Sequence, residues 1–249
     1  MLKNRRLLPW GFVMIFPFFI VNCQLLSNFI PGNDESLENL RISPDLSSGI
    51  SPGTSRTMQV GVMECCYVFK PIETNVRWSV TPEEGASIDP KTGEFYVEPD
   101  TEHGQVYEIT ASVQGGRKII TSQAFVVRKE ANPLIGYWKE QSQFTCDGFS
   151  EVPPEEPIRE FQFKADGKFY VTWMPFEVYH DYWGTYTYDL NEGKLELVME
   201  DGNYLPEDFS GNGQFSITDE GGLVLENIWL GKPHESEKEA NCGHIFVRP

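Results

Sequence analysis

The chain is short of cations, histidine and cysteine: 20 Lys plus Arg stand against 37 Asp plus Glu, with 4 His and 5 Cys in 249 residues. The formal charge of −17 repels phosphate backbones and anionic headgroups, which argues against nucleic acid as a partner. The deficit is uneven. Residues 130–249 hold 23 acidic and 8 basic side chains, so the C-terminal half carries most of the excess, read as a solvated acidic surface. Also missing are a Gly-rich phosphate loop, a nucleophile elbow and a pair of metal-spaced histidines. No stretch keeps apolar spacing of three and four over ten residues, so few helices are expected. These absences leave no catalytic residue, metal site or cofactor to assign, and the chain reads as a non-enzyme.

What is present begins at the N-terminus. Lys3, Arg5 and Arg6 precede an uncharged apolar run over residues 7–21, ending Ile20-Val21-Asn22-Cys23. A basic segment, an apolar core and a following cysteine read as an export signal rather than as part of the fold. The box resembles a bacterial lipoprotein signal of the relaxed kind found in spirochaetes, with Asn22 where Gly, Ala or Ser is usual. That resemblance implies removal of residues 1–22, acylation of Cys23 by palmitate-like chains, and a lipid anchor in the bacterial cell envelope at the outer membrane. Each buried methylene of such an anchor contributes about 0.8 kcal/mol. Two other readings stay open. No charge interrupts residues 7–30, and about 20 apolar residues span a bilayer, so an uncleaved signal-anchor is one. Plain secretion is the other.

Residues 23–38 read as a tether that lifts the remainder off the membrane. A second linker lies at 130–133, within Arg128-Lys-Glu-Ala-Asn-Pro133. The two segments delimit domains at 39–129 and 134–249, both all-β: short alternating or β-branched runs punctuated by Gly, Pro and Asp.

In the first domain, 40–44, 58–63, 76–80, 106–113 and 119–127 read as strands, with turn-rich sequence at 81–96. Seven or so short strands in this length predict a β-sandwich. Trp78-Ser-Val80, then Ala86-Ser-Ile-Asp-Pro-Lys-Thr-Gly-Glu-Phe95, then Tyr107-Glu-Ile-Thr-Ala-Ser112 resemble bacterial immunoglobulin-like domains. The resemblance implies a core Trp78, a tight hairpin at Asp-Pro-Lys-Thr-Gly, and a spacer or adhesive module.

In the second domain, hairpin turns stand at Lys164-Ala-Asp-Gly-Lys168, Leu190-Asn-Glu-Gly-Lys194 and Thr218-Asp-Glu-Gly-Gly222. Eight strands are expected, at 135–146, 158–164, 168–174, 183–189, 194–199, 213–218, 223–230 and 242–248. Eight antiparallel strands can close as an up-and-down barrel by pairing first with last; an open two-sheet sandwich is the alternative. Leu134-Ile-Gly-Tyr-Trp138, Phe161-Gln-Phe-Lys-Ala-Asp-Gly-Lys-Phe169 and Trp183-Gly-Thr-Tyr186 resemble lipocalin-like domains. That resemblance implies an eight-stranded antiparallel barrel whose opening Trp138 is covered by Arg248 near the last strand.

The barrel interior is expected to be filled with aromatic side chains or to hold one small hydrophobic ligand, with Phe169, Trp173, Trp183 and Tyr186 as candidate cavity lining. Tyr179-His180-Asp181-Tyr182 reads as an exposed loop at a mouth, without a nucleophile beside it. Beyond Cys23, four cysteines allow three pairings. Cys146 ends the first barrel strand and Cys242 begins the last, and neighbouring antiparallel strands bring such ends together, so a Cys146–Cys242 bridge is predicted. Cys65 and Cys66 are either a vicinal disulfide or two buried thiols. His234-Glu-Ser-Glu-Lys-Glu-Ala-Asn-Cys-Gly-His244 lacks the repeated ligand spacing of a zinc site and reads as a solvated loop. Asp189-Leu-Asn-Glu-Gly193 reads as a turn, not a calcium loop. The expected function is a membrane-anchored binding module for a protein partner; the alternative is a carrier of a small hydrophobic molecule.

Overall fold

The computed structural model describes residues 37–64, 68–173, 180–233 and 241–249. The leader, Cys23, Cys65, Cys66, Tyr179 and His234 lie outside the described residues. The described chain is all-β, with two separate apolar cores. Among the described residues no helix is long and apolar enough to cross a membrane.

The first half holds β1 (Leu40–Ser43), β2 (Leu46–Ile50), β3 (Ser55–Thr57), β4 (Gln59–Met63), β5 (Phe69–Pro71), β6 (Val76–Thr81), β7 (Ala86–Ile88), β8 (Glu94–Val97), β9 (Val106–Val113) and β10 (Lys118–Val126). They form three sheets, ordered β1-β4-β5, β2-β10-β9-β6 and β3-β8-β7. The chain leaves β1 at Pro44 and crosses to another sheet, where β2 pairs parallel to the end of β10. Alternation explains the burial. Tyr107, Ile109, Ala111 and Val113 of β9 face the core, where they meet Trp78, Phe95 and Val97. The Asp-Pro-Lys-Thr-Gly segment is a tight turn: Asp89 Oδ1 accepts the N–H groups of Lys91 (2.8 Å) and Thr92 (2.7 Å). Glycine is required at its end. Gly93 has φ +73°, and a Cβ there would come within 2.8 Å of Trp78 Nε1 and of the Met58 carbonyl oxygen.

The second half holds β11 (Gly136–Phe144), β12 (Glu151–Val152), β13 (Glu160–Phe163), β14 (Lys168–Thr172), β15 (Tyr182–Asp189), β16 (Lys194–Gly202), β17 (Asn212–Ile217), β18 (Leu223–Glu226) and β19 (Gly243–Val247). All nine belong to one antiparallel sheet, and β19 pairs back onto β11 from Lys139↔Val247 to Phe144↔Gly243, so the sheet closes on itself. The two-residue β12 flanks the end of β11, and the ring itself runs β11-β13-β14-β15-β16-β17-β18-β19. Its hairpins are fixed locally: Asp166 Oδ1 accepts Lys168 N–H at 3.1 Å, Asp189 Oδ1 accepts Asn191 N–H at 2.8 Å, and Thr218 Oγ1 accepts Gly222 N–H at 2.9 Å.

The halves touch through the β13–β14 turn. The Ser47 carbonyl accepts Ala165 N–H at 2.9 Å, and Lys164 Nζ lies 3.4 Å from Asp45 Oδ2. Asp45 itself is solvent-exposed. Partial desolvation raises its carboxyl pKa, but the Ser47 N–H and hydroxyl and the Lys164 ammonium outweigh it, and the net direction is down.

Candidate functional site

Strand parity decides which side chains enter the ring. Trp138, Glu140 and Ser142 of β11 share one face, as do Phe161 and Phe163 of β13, Phe169 and Val171 of β14, and Tyr182 and Tyr186 of β15. Phe169, Trp173 and Tyr186, three of the candidate cavity residues, lie in the buried interior cluster. Trp183 does not. It stands opposite Tyr170, whose neighbours Phe169 and Val171 point inward, so Trp183 belongs to the outer face of the ring. The expectation that it lines the interior is corrected on that ground.

One end of the ring is closed by the opening residues of the second domain, joined by Asn132 from the segment read as a linker. Leu134 is buried, and its carbonyl accepts Trp138 Nε1–H at 2.6 Å. The Arg248 guanidinium sits 4.1 Å from the Trp138 ring and donates to the carbonyls of Ile135 (3.1 Å) and Pro133 (2.9 Å). Gly136 makes room for it: φ is +121°, and a Cβ would lie 2.6 Å from Arg248 Nη1. Asn132 is a buried plug rather than a linker residue. Its Nδ2 donates to Tyr186 Oη at 3.1 Å, and that hydroxyl donates to the Lys164 carbonyl at 2.7 Å. Burial pushes the Tyr186 phenol far up, a shift the Asn132 hydrogen bond only moderates.

Aromatic rings occupy the middle. Phe161 and Phe163 have centroids 4.4 Å apart, Phe163 and Tyr186 4.8 Å, and Phe161 and Phe246 5.2 Å.

The other end holds a polar pair that sequence reasoning missed. His244 is not in a solvated loop; it lies on β19, fully buried, with Nδ1 2.5 Å from Glu140 Oε1. Glu140 Oε1 also accepts from Gln143 Nε2 at 3.0 Å, and Oε2 from Ile158 N–H at 2.8 Å. His244 Nε2 accepts Leu230 N–H at 3.1 Å, which leaves Nδ1 to carry the proton given to Glu140. Trp229 stacks on the imidazole with centroids 4.7 Å apart and planes 9° from parallel. The missed signal was parity: Glu140 is two residues from Trp138, and His244 two from Phe246, both anchors of the interior.

Cys146 and Cys242 are joined at this same end, with Cα atoms 4.9 Å apart across a separation of 96 residues. Nearby, Trp173 packs on Tyr182 (5.8 Å) and Tyr204 (6.4 Å), and Tyr182 on Phe209 (5.9 Å). His180 and Asp181 serve different partners. His180 Nδ1 is 3.2 Å from Thr172 Oγ1, whereas Asp181 Oδ2 accepts Trp173 N–H at 2.8 Å. Half-burial lowers the His180 imidazole pKa from its ordinary value. Among the described residues no group of three or more His, Cys, Asp or Glu is gathered as for a metal ion. No protein-family model matches this chain, and no curated protein is significantly similar to it.

Proposed function

We propose that this chain is a lipid-anchored protein of the bacterial cell envelope, exported by residues 1–22, acylated at Cys23 and held at the outer membrane by a tether ending near residue 38. In this reading residues 39–129 are an immunoglobulin-like β-sandwich and 134–249 an eight-stranded lipocalin-like barrel. Together they act as a non-catalytic module that binds a protein partner. The all-β architecture and the closure of β19 on β11 support the two-module reading.

One observation carries the binding-module assignment over a transport role. The ring interior is occupied by its own side chains, from the Phe161–Phe163 contact at 4.4 Å to the Glu140–His244 pair at 2.5 Å. A ring packed in this way leaves recognition to outer faces and edges. The Trp173–Tyr182–Phe209 aromatic group at one end favours the second reading, a carrier of a small hydrophobic molecule. Fluorescence titration of the full chain with 1-anilinonaphthalene-8-sulfonate separates the two. The module reading expects no saturable one-to-one site; a saturable site weakened by Trp173→Phe establishes the carrier.

A further inference from the structure

The edge of β10 is open over part of its length. β10 pairs with β9 continuously from Lys118↔Val113 to Phe125↔Val106, but with β2 only at Ala124 and Val126. Backbone direction along the strand follows from its end: Val126 N–H donates toward the β9 side, to Gln105 O, and Val127 N–H donates to Ile50 O on the β2 side. Alternation then turns the N–H and C=O groups of Ile119, Thr121 and Gln123 to the β2 side. Among the described residues no backbone group pairs with Ile119 or Thr121 there, or with the Gln123 N–H; the Gln123 carbonyl belongs to the Ala124↔Leu46 pairing with β2.

This open edge borders a groove of about 580 Å³. Its other wall is β1, itself an edge strand, and its apolar lining is Leu40, Ile42, Met63, Phe69 and Ile120. Met63 is 43% exposed, so the groove offers apolar surface to solvent. Two features identify what fits. Unpaired donors and acceptors at every second residue match the repeat of an extended backbone and no other common ligand. The apolar lining lies beside that edge, where alternate side chains of an added strand would point. β2 already occupies the neighbouring part of the same edge, in parallel, so an incoming strand would extend an existing pairing along β10.

We infer that the groove between β1 and β10 is a docking site for an extended peptide segment of a partner protein, added as a strand to the open edge of β10, with apolar side chains at alternate positions. The six residues from Lys118 to Gln123 accommodate about 20 Å of strand. Backbone pairing supplies the affinity and the apolar lining the preference for side chains. The inference rests on the binding-module reading and names its partner class; acylation of Cys23 and apolar-probe titration test that reading separately.

The test uses the full chain and a fluorescein-labelled eight-residue peptide of alternating threonine and valine, read by anisotropy. Saturable binding is expected. N-methylation of alternate amides along the hydrogen-bonding edge of the peptide weakens it about tenfold or more, as loss of two or more hydrogen bonds requires. Thr121→Pro, which removes a groove-facing N–H at an edge position, weakens binding to a similar degree. Met63→Glu provides a second variant on the exposed lining, and circular dichroism with thermal melting verifies that both variants fold. Absence of saturable binding, or binding indifferent to N-methylation and to both substitutions, overturns the inference.

Discussion

His244 donates from Nδ1 to Glu140 Oε1 across 2.5 Å in the ring interior, with both side chains fully removed from solvent. The two residues lie 104 apart in sequence and join the first strand of the ring to the last. Every polar atom of the pair has a partner, through Gln143, Ile158 N–H and Leu230 N–H. A satisfied buried pair of this kind adds little net stability over an apolar pair of the same shape, but one member left without the other is costly.

Removing one partner strands the other. Glu140→Ala should destabilise the chain by about 3–5 kcal/mol, read from the urea midpoint. Joint replacement by Leu at 140 and Phe at 244 should recover part of that loss, because no imidazole is then left without its carboxylate, although the buried Ile158 and Leu230 N–H groups lose their acceptors. A double variant as unstable as the single one contradicts this.

At the opposite end, Arg248 and Gly136 are sterically coupled. Arg248→Lys loses the planar stack on Trp138 and the simultaneous reach to two carbonyls, for about 1–2 kcal/mol. Gly136→Ala forces a Cβ into the guanidinium, and its cost should shrink in the background of Arg248→Ala. Strictly additive costs in that double-mutant cycle would show that the clash is not what requires glycine.

The buried phenols make the ring sensitive to alkali. Burial raises the pKa values of Tyr182, Tyr186 and Tyr188 above the ordinary 10.0. In the unfolded chain these groups ionise near pH 10, while the folded chain keeps them protonated, so the folded state binds more protons there. Stability is therefore fully present below about pH 10 and falls as pH rises beyond it. Thermal melts from pH 8 to 12 should show that fall, and Tyr188→Phe should lessen it; an unchanged melting temperature across this range contradicts the assignment.

The Cys146–Cys242 bridge closes a loop of nearly the whole ring. In the chain-entropy description, a loop of this size contributes up to about 4–5 kcal/mol. Reduction of the disulfide-bonded protein should lower the denaturation midpoint, and the Cys146→Ser, Cys242→Ser double variant should match the reduced form. Equal midpoints with and without reductant would remove the bridge from the account.

The ring order was legible because its turns are local. The Asp166, Asp189 and Thr218 turns each announce a hairpin, and once the hairpins are counted only the pairing of first with last strand is left. The short strands β2, β3, β5 and β12 were not legible. Their two to five residues, such as Ser55-Arg-Thr57, carry no apolar alternation and owe their conformation to neighbours. Trp183 was misassigned because an aromatic was counted without its parity. Asn132 was hidden in a charged linker, and the Glu140–His244 pair was hidden by distance along the chain: nothing near either residue indicates the other.

Metabolic labelling with an alkyne analogue of palmitate, on the full chain in a bacterial host that processes lipoproteins, tests the central claim most directly. The account predicts that the protein is exported and labelled, and that Cys23→Ser abolishes the label while export continues. Labelling unchanged by Cys23→Ser, or an exported protein that is never labelled, contradicts the lipid-anchored reading.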